Sequence, residues 1–304
     1  MRKKIKILQK YERLEKLLSE NLNFSRSSIE QKFKSGDLLI FVNSKKIPKL
    51  SFSVSKKDEL EVELIERKNN FKFEILFENE DFFAIEKPTG IPSTSENLGK
   101  ISIANLISEK FPDQEKNFSF EENFGLVHRL DKETSGVLLI SKTKKFYEIL
   151  KKLFKERKIQ KTYQAISNGD YSGKDEGTIK SFLNKRNGIV FISEKEKYGV
   201  FAETKFKIIK KEDQFFFIEI FPCTGRTHQI RVHLSSIGLP IIGDKIYNKF
   251  SKNSGGEKLE NKKSNLTLKD SRFLWNDDLD DRMMLHAKKI KFLEFEIESK
   301  ISLF

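Results

Sequence analysis

Strand-like runs outnumber helical stripes along this 304-residue chain, and the two kinds do not alternate. Strict β–α alternation would call for a parallel sheet wrapped in helices; many strands with a few scattered helices argue for α+β. Alternating or short apolar runs between turn residues predict strands at Leu38–Val42, Glu59–Ile65, 73–78, 81–87 and Val137–Ser141. Others are predicted at 161–167, 199–209, 214–221 and around Ile290–Ile297. Helical spacing marks Tyr11–Asn21, with Leu14, Leu17 and Leu18 on one face, and a second helix from an N-cap at Ser25 through Lys34. Residues 102–111 and 226–237 are also predicted helices. Phe146–Arg157 carries Phe146, Ile149, Leu150, Leu153 and Phe154 as an apolar stripe suited to a core.

At roughly 150 residues per domain, the length predicts two domains. Polar Glu66–Asn70 reads as a linker, giving a small α/β unit over 1–68 and a larger domain over 69–304. Lys249–Asp281 is rich in Lys, Asn and Asp and reads as a long loop or partly disordered insertion.

Charge narrows the partners. The chain carries 58 Lys or Arg against 45 Asp or Glu, a net of +13, which favours polyanions through counterion release. An overall lysine-rich composition would produce the same total. The distribution is more informative: residues 1–70 hold 17 Lys or Arg against 10 Asp or Glu, so +7 of the excess sits in under a quarter of the chain. Cys223 is the only cysteine, which excludes an intramolecular disulfide and a cysteine-based metal cluster. The basic first residues lack the apolar stretch of a signal peptide, and no run approaches a membrane span of roughly 18 apolar residues. A cytoplasmic setting away from membranes is expected.

Three stretches concentrate polar chemistry. Gly125-Leu-Val-His-Arg-Leu-Asp-Lys-Glu-Thr-Ser-Gly136 places His128, Arg129, Asp131 and Thr134 between two apolar strands, where sites are commonly built; a charged, solvated turn would look the same. Lys161-Thr-Tyr-Gln-Ala165 puts Tyr163 in a strand, where a tyrosine taken alone is usually half-buried packing. Thr224-Gly-Arg-Thr-His-Gln-Ile-Arg-Val-His-Leu234 is followed by Gly238-Leu-Pro-Ile-Ile-Gly-Asp-Lys-Ile-Tyr247. If 226–237 is helical, Thr227 and Arg231 are neighbours four apart, and Thr224-Gly225-Arg226 leads into a helix N-terminus suited to an anion. An amphipathic basic helix without function fits the same pattern. His228 and His233, five apart, are wrongly spaced for two metal ligands on one helical face.

His128-Arg-Leu-Asp-Lys-Glu-Thr-Ser-Gly136 resembles the catalytic motif of the RluA superfamily of pseudouridine synthases. The third stretch is similar to that family's TGRTHQIRVHL block with its GxPIxGDxxY continuation. Glu86-Lys-Pro-Thr-Gly90, Lys161-Thr-Tyr163 and Met284-Leu-His-Ala287 resemble three further family motifs, all in the family's order over about 75–295. Glu86 stands where Asn is usual, and Leu239 where His is common. The resemblance implies a mixed, mainly antiparallel sheet with flanking helices, and an enzyme that isomerises uridine in RNA without a metal, redox or nucleotide cofactor. Residues 11–65 resemble the RNA-binding module shared with ribosomal protein S-four, which puts Arg13, Arg26, Lys32 and Lys34 toward RNA.

Carried over motif by motif, the resemblance makes Asp131 the catalytic carboxylate, ionised to act as nucleophile or base. It makes Arg231 the partner of Asp131 and Tyr163 the ring against the uracil. Extruding the base costs a few kcal/mol, and stacking on an aromatic returns about 1–3 kcal/mol. Arg129 is expected to fill the vacated stack or hold phosphate. Thr134, Arg226, Thr227 and Gln229 are expected around the substrate, and so is His128, for which a structural hydrogen-bonding role is the favoured alternative. Which atom Asp131 attacks stays open. Ribosomal RNA is the expected substrate, with transfer RNA or a purely RNA-binding assembly role as alternatives; a monomer suffices. A carbohydrate hydrolase would need two cooperating carboxylates.

Overall fold

The computed structural model describes residues 2–11, 13–22, 24, 26–65, 71–95, 101–193, 196–248 and 282–304. The N-cap at Ser25, the linker Glu66–Asn70 and the insertion Lys249–Asp281 lie outside the described residues. Contacts divide the chain into two compact units, Met1–Lys72 with Thr94–Phe111, and Phe73–Ser93 with Pro112–Phe304.

The first unit holds β1 (Arg2–Ile5), α1 (Leu14–Leu22), α2 (Arg26–Ser35), β2 (Leu38–Val42), β3 (Lys45–Lys46), β4 (Leu60–Leu64) and α3 (Ile103–Lys110). Its sheet runs β1-β4-β2-β3, antiparallel throughout. Leu14, Leu17 and Leu18 of α1 join Ile29 of α2 and Ile40 and Val62 of the sheet in one core. Asn43 and Ser44, at φ of 49° and 65°, turn the β2–β3 hairpin with the twist such loops favour. Ser102 caps α3 by accepting from the Asn105 amide. β1 was not expected: Arg-Lys-Lys-Ile carries almost no apolar pattern, and its pairing with β4 makes it a strand.

The second unit contains β5 (Glu74–Glu78), β6 (Phe82–Lys87), α4 (Pro112–Asn117), β7 (Ser135–Ser141), α5 (Lys144–Lys155), β8 (Gln160–Asn168), β9 (Glu176–Arg186), β10 (Ile189–Ser193), β11 (Val200–Glu212), β12 (Phe215–Pro222), α6 (Gln229–Ser236), β13 (Leu285–Phe292) and β14 (Phe295–Glu298). One sheet runs β10-β9-β11-β12-β8-β13-β7-β6-β5, with β14 added on β13. Every pairing is antiparallel except β13 with β7, so the sheet is mixed and mainly antiparallel, and the class is α+β. Phe146 and Leu150 of α5 pack on Phe82, Val137 and Leu139; Ile230 and Leu234 of α6 pack with Ala165, Ile218 and Ile220. Among the described residues no helix is long and apolar enough to cross a membrane.

Two predicted elements change. The strand around Ile290–Ile297 is a hairpin, β13 turning at Leu293 (φ 48°) into β14. The helix predicted over 226–237 begins only at Gln229, because residues 224–228 are held in a turn by the Gln229 side chain. Thr227 therefore precedes the helix, and its pairing with Arg231 across one helical turn does not exist. The β9–β10 hairpin and α4 had no counterpart in the sequence reading.

Candidate active site

The segment carrying Asp131 leads into β7, and its backbone is fastened from β6 and the turn after it. Lys87, fully buried at the end of β6, donates to the carbonyls of Thr134 (2.7 Å), Pro88 (2.9 Å) and Lys132 (3.1 Å). Thr89 Oγ1 donates to the Glu133 carbonyl at 2.8 Å, and the Gly90 amide donates to the Lys132 carbonyl at 2.9 Å. Ser93 Oγ donates to the Leu130 carbonyl and accepts from its amide, at 2.8 and 2.9 Å. Burial pushes the Lys87 ammonium down to about 7, against the charges of Glu133 and Asp131. Thus the Glu86-Lys-Pro-Thr-Gly90 stretch, one of the family-like motifs, is the clamp of the Asp131 loop.

β7 starts where β13 runs closest. Gly136, at φ 117°, faces Ala287, and a Cβ there would lie 2.3 Å from the Ala287 carbonyl oxygen. Only glycine allows both the dihedral and the approach. On the far side of this crossing lies a buried polar chain. Ser299 Oγ donates to Glu86 Oε2 at 2.6 Å and accepts from the Ile301 amide, so His286 Nε2 must donate to Ser299. His286 Nδ1 then accepts from Ser135 Oγ, which accepts from Arg282 Nη2, both at 2.9 Å. Burial, followed by the Arg282 and Lys288 charges, takes His286 down to about 3, so the ring is neutral. Glu86 is pushed up to about 7 by burial, which outweighs the Ser299 hydrogen bond.

Arg231 projects from α6 and is almost wholly buried. Its Nε and Nη2 donate to Asp244 Oδ2 and Oδ1 at 2.7 and 2.9 Å, and its Nη1 donates to Asp131 Oδ2 at 3.2 Å. Asp244 Oδ1 also accepts from the amides of Ile246 (2.9 Å) and Tyr247 (3.0 Å). Burial works against the Asp244 carboxylate, but Arg231 and these amides hold it below the usual range. The Arg231 guanidinium also lies 5.1 Å from the centre of the Tyr247 ring.

Asp131, Thr134 and Arg231 line a pocket of about 250 Å³. Among the described residues lining it, Asp131 is the one carboxylate. Tyr163, half-buried on β8, lines it as well; burial and then the Asp131 charge push its phenol well above the ordinary range, so it stays protonated. Arg129 is exposed and donates from Nη2 to Thr227 Oγ1 at 3.2 Å. Arg226 is also exposed and donates from Nε to the Phe201 carbonyl at 3.2 Å. Thr134 is buried, its amide donating to the Asp131 carbonyl at 3.1 Å.

Two residues expected around the substrate are occupied within the protein. Gln229 Oε1 accepts from Thr224 Oγ1 (2.7 Å) and the Arg226 amide (3.0 Å), while its Nε2 donates to the Glu203 carbonyl and Thr204 Oγ1, both at 2.9 Å. With donors and acceptor engaged, its side chain builds the turn before α6. His128 Nε2 accepts from the Leu139 amide at 3.0 Å, and its ring stacks on Phe154. Burial, then the charge of Lys161, takes His128 down to about 3, so it is a neutral acceptor.

His228 enters the site without having been expected there. It stands at φ 53°, its Nδ1 is 2.9 Å from Tyr247 Oη, and its Nε2 is 3.9 Å from Asp131 Oδ2. Burial and the Arg231 charge lower its pKa while Asp131 opposes them. Lys87 and Asp244 were the other omissions. Their signal was a charged residue set among apolar neighbours, as in Ile-Gly-Asp-Lys-Ile. In the first unit Arg13 pairs with Glu15 (2.6 Å), Lys34 with Glu30 (2.8 Å), Lys32 lies over the Phe24 ring (4.8 Å), and Arg26 is exposed. Among the described residues no group of three or more His, Cys, Asp or Glu is placed to hold a metal.

The family model described as RNA pseudouridylate synthase matches residues 81–236, a span that includes Asp131, Tyr163 and Arg231. A protein of Aquifex aeolicus, described as an uncharacterized RNA pseudouridine synthase, is 32% identical over 78% of this chain and 77% of its own length. The ribosomal large subunit pseudouridine synthase C of Buchnera aphidicola is 31% identical over 92% of this chain and 79% of its own. Among solved structures, human RNA pseudouridylate synthase domain containing 4 superposes with a TM-score of 0.55 at 22% identity, covering 76% of this chain and 89% of that one, a likeness of fold. The chain belongs to the RNA pseudouridylate synthase family, whose members isomerise uridine to pseudouridine in RNA.

Proposed function

We propose that this isomerase uses Asp131 as its catalytic carboxylate and acts on uridines of large-subunit ribosomal RNA. The observation that carries the reading is the placement of Asp131: it is the one carboxylate among the described residues of the pocket, held by Arg231 at 3.2 Å on a loop fastened by Lys87. In the isomerisation the C1′–N1 bond breaks with its electron pair on the uracil, the ring turns, a bond forms from C1′ to C5, the C5 proton leaves, and N1 takes up a proton. An ionised carboxylate beside a fixed guanidinium suits attack as nucleophile or proton removal as base. A lone carboxylate does not suit glycoside hydrolysis, which uses a pair.

In this reading Tyr163 supplies the stacking platform for the extruded base. Arg129, Arg226 and Thr227 face the substrate at the pocket, and Thr134 sets the Asp131 loop. Ribosomal RNA is favoured by the name of the Buchnera relative and by the basic N-terminal residues; it would place the enzyme, acting as a monomer, in the cytoplasm. We assign residues 1–68 to an S-four-like RNA-binding domain through Arg13, Arg26, Lys32 and Lys34, and 69–304 to catalysis.

The test is a pseudouridine map of ribosomal and transfer RNA from cells lacking the protein, complemented with wild type or Asp131→Ala. The expected result is loss of specific large-subunit sites, restored by wild type alone. Sites lost only in transfer RNA would move the substrate, and restoration by Asp131→Ala would remove Asp131 from catalysis. Neutralising Arg13, Arg26, Lys32 and Lys34 together is expected to weaken RNA binding and flatten its salt dependence while leaving the rate on saturated enzyme intact.

A further inference from the structure

The cations around the pocket differ in one respect. Arg231 is saturated by two carboxylates, Arg129 donates to Thr227, and Arg226 donates to a backbone carbonyl. Lys161 lines the same pocket and, among the described residues, has no hydrogen bond and no ion pair. It is half-buried, and burial lowers its ammonium pKa, opposed by the Cys223 thiol. Removing an ammonium from water without an acceptor is unfavourable, and proteins pair or expose such groups.

The local fold explains why this lysine is aimed inward. Lys161 and Tyr163 lie two apart on β8 and share a face, separated by about 7 Å along the strand. The β8–β12 pairing runs from Asn168 only to Tyr163, opposite Ile220. Beyond that point Pro222, Thr224 and Gly225 line the gap. A Cβ on Gly225 would stand 3.5 Å from Lys161 Nζ, so the ammonium sits across the opening from a residue without a side chain. The charge of Lys161 is also felt by His128, which lines the same pocket. A positive group thus stands one residue pair along the strand from the aromatic face proposed for the base.

We propose that Lys161 is an anion subsite for the target nucleotide, its ammonium binding an anionic oxygen of the RNA beside the base stacked on Tyr163. This rests on the reading of the pocket as the uridine site. Two oxygens carry the required charge: a phosphate flanking the extruded nucleotide, present from the moment of binding, and a uracil carbonyl oxygen, which gains charge once the C1′–N1 pair moves onto the ring. The phosphate stabilises the bound state; the carbonyl oxygen gains its partner only during reaction.

The experiment uses the full chain and large-subunit ribosomal RNA purified from cells lacking the protein, with wild type, Lys161→Met, Lys161→Arg and Asp131→Asn. Binding is measured across salt concentrations, and the single-turnover rate by release of tritium from C5 of uridine. A phosphate contact predicts weaker binding by Lys161→Met, a slope of log K against log salt reduced by about 0.7–0.9, and an unchanged rate at saturation. A uracil contact predicts unchanged binding and salt slope with a rate lowered by roughly 100-fold. Lys161→Arg is expected to recover part of whichever quantity is lost. If Lys161→Met matches wild type in binding and rate while Asp131→Asn is inactive, the Lys161 subsite is overturned and the pocket assignment survives. A loss of melting temperature with both quantities intact also overturns it. Turnover by Asp131→Asn would instead overturn the pocket reading beneath it.

Discussion

Asp131 and Asp244 share Arg231: the carboxylate at the pocket takes Nη1 at 3.2 Å, and the buried one takes Nε and Nη2 at 2.7 and 2.9 Å. Asp244 is thereby the member that fixes where the guanidinium points, and Asp131 receives the nitrogen left over. Asp244→Ala would leave a buried guanidinium with half its partners. The expected cost is about 3–5 kcal/mol of stability in denaturant titration, with activity falling as well. An Arg231→Met, Asp244→Ala double variant should be less destabilised than the sum of the single changes. Additive losses would show that the two side chains act independently.

The phenol of Tyr163 is held protonated by burial and by the Asp131 charge, so its ring and its hydroxyl can be separated by substitution. Tyr163→Phe keeps the ring and should bind substrate RNA almost as well as wild type. Tyr163→Leu removes the platform and should weaken binding by about 1–3 kcal/mol. Equal affinities for the Phe and Leu variants would remove stacking from the account. A rate defect in Tyr163→Phe with its binding unchanged would give the hydroxyl a part in moving the proton.

Glu86 links stability to pH. Burial raises its carboxyl from 4.5 to about 7, so between those values the unfolded chain releases a proton that the folded chain retains. Its contribution is therefore full below about 4.5 and is lost as pH rises through 7. Glu86→Gln has no proton to lose and still offers an amide to Ser299. The variant should melt higher than wild type at pH 8, by up to about 3 kcal/mol, with the gap closing toward pH 5. Melting curves at both pH values decide the point, since a gap independent of pH would mean that the Glu86 proton is not involved.

Gly136 marks where β7 and β13 come together beside the Asp131 loop. Gly136→Ala would drive a methyl into the Ala287 carbonyl at 2.3 Å and force an unfavourable dihedral. The expected result is a loss of at least about 2 kcal/mol and a disturbed site, read by denaturant titration and tritium release. Normal stability would mean that the two strands can part without cost.

Much of the local structure was legible because it depends on short-range periodicity. The Leu14, Leu17 and Leu18 face, the Phe146-to-Phe154 stripe and the apolar run of β7 declare their elements within a few residues. Where that signal was absent or misleading, the reading failed for identifiable reasons. β1 is a strand because β4 pairs with it, not because Arg-Lys-Lys-Ile alternates. The start of α6 moved because Gln229 reaches back to Thr224 and Arg226, a side-chain contact that helical spacing does not encode.

The site divides along the same line. The order and chemistry of the motifs, with Asp131, Tyr163 and Arg231 among them, stood in the sequence alone, as did the basic character of the first residues. The tertiary structure decided that Asp244, rather than Asp131, takes two of the Arg231 nitrogens; that Lys87 fastens the Asp131 loop; that Gln229 and His128 are engaged within the protein; and that Lys161, among the described residues, has no hydrogen bond or ion pair. Asp131 and Arg231 are 100 residues apart, and Lys87 and Thr134 are 47 apart. Such contacts arise from the order of strands in the sheet and from the one parallel crossing of β7 and β13, whereas a residue's neighbours in sequence specify only its own element.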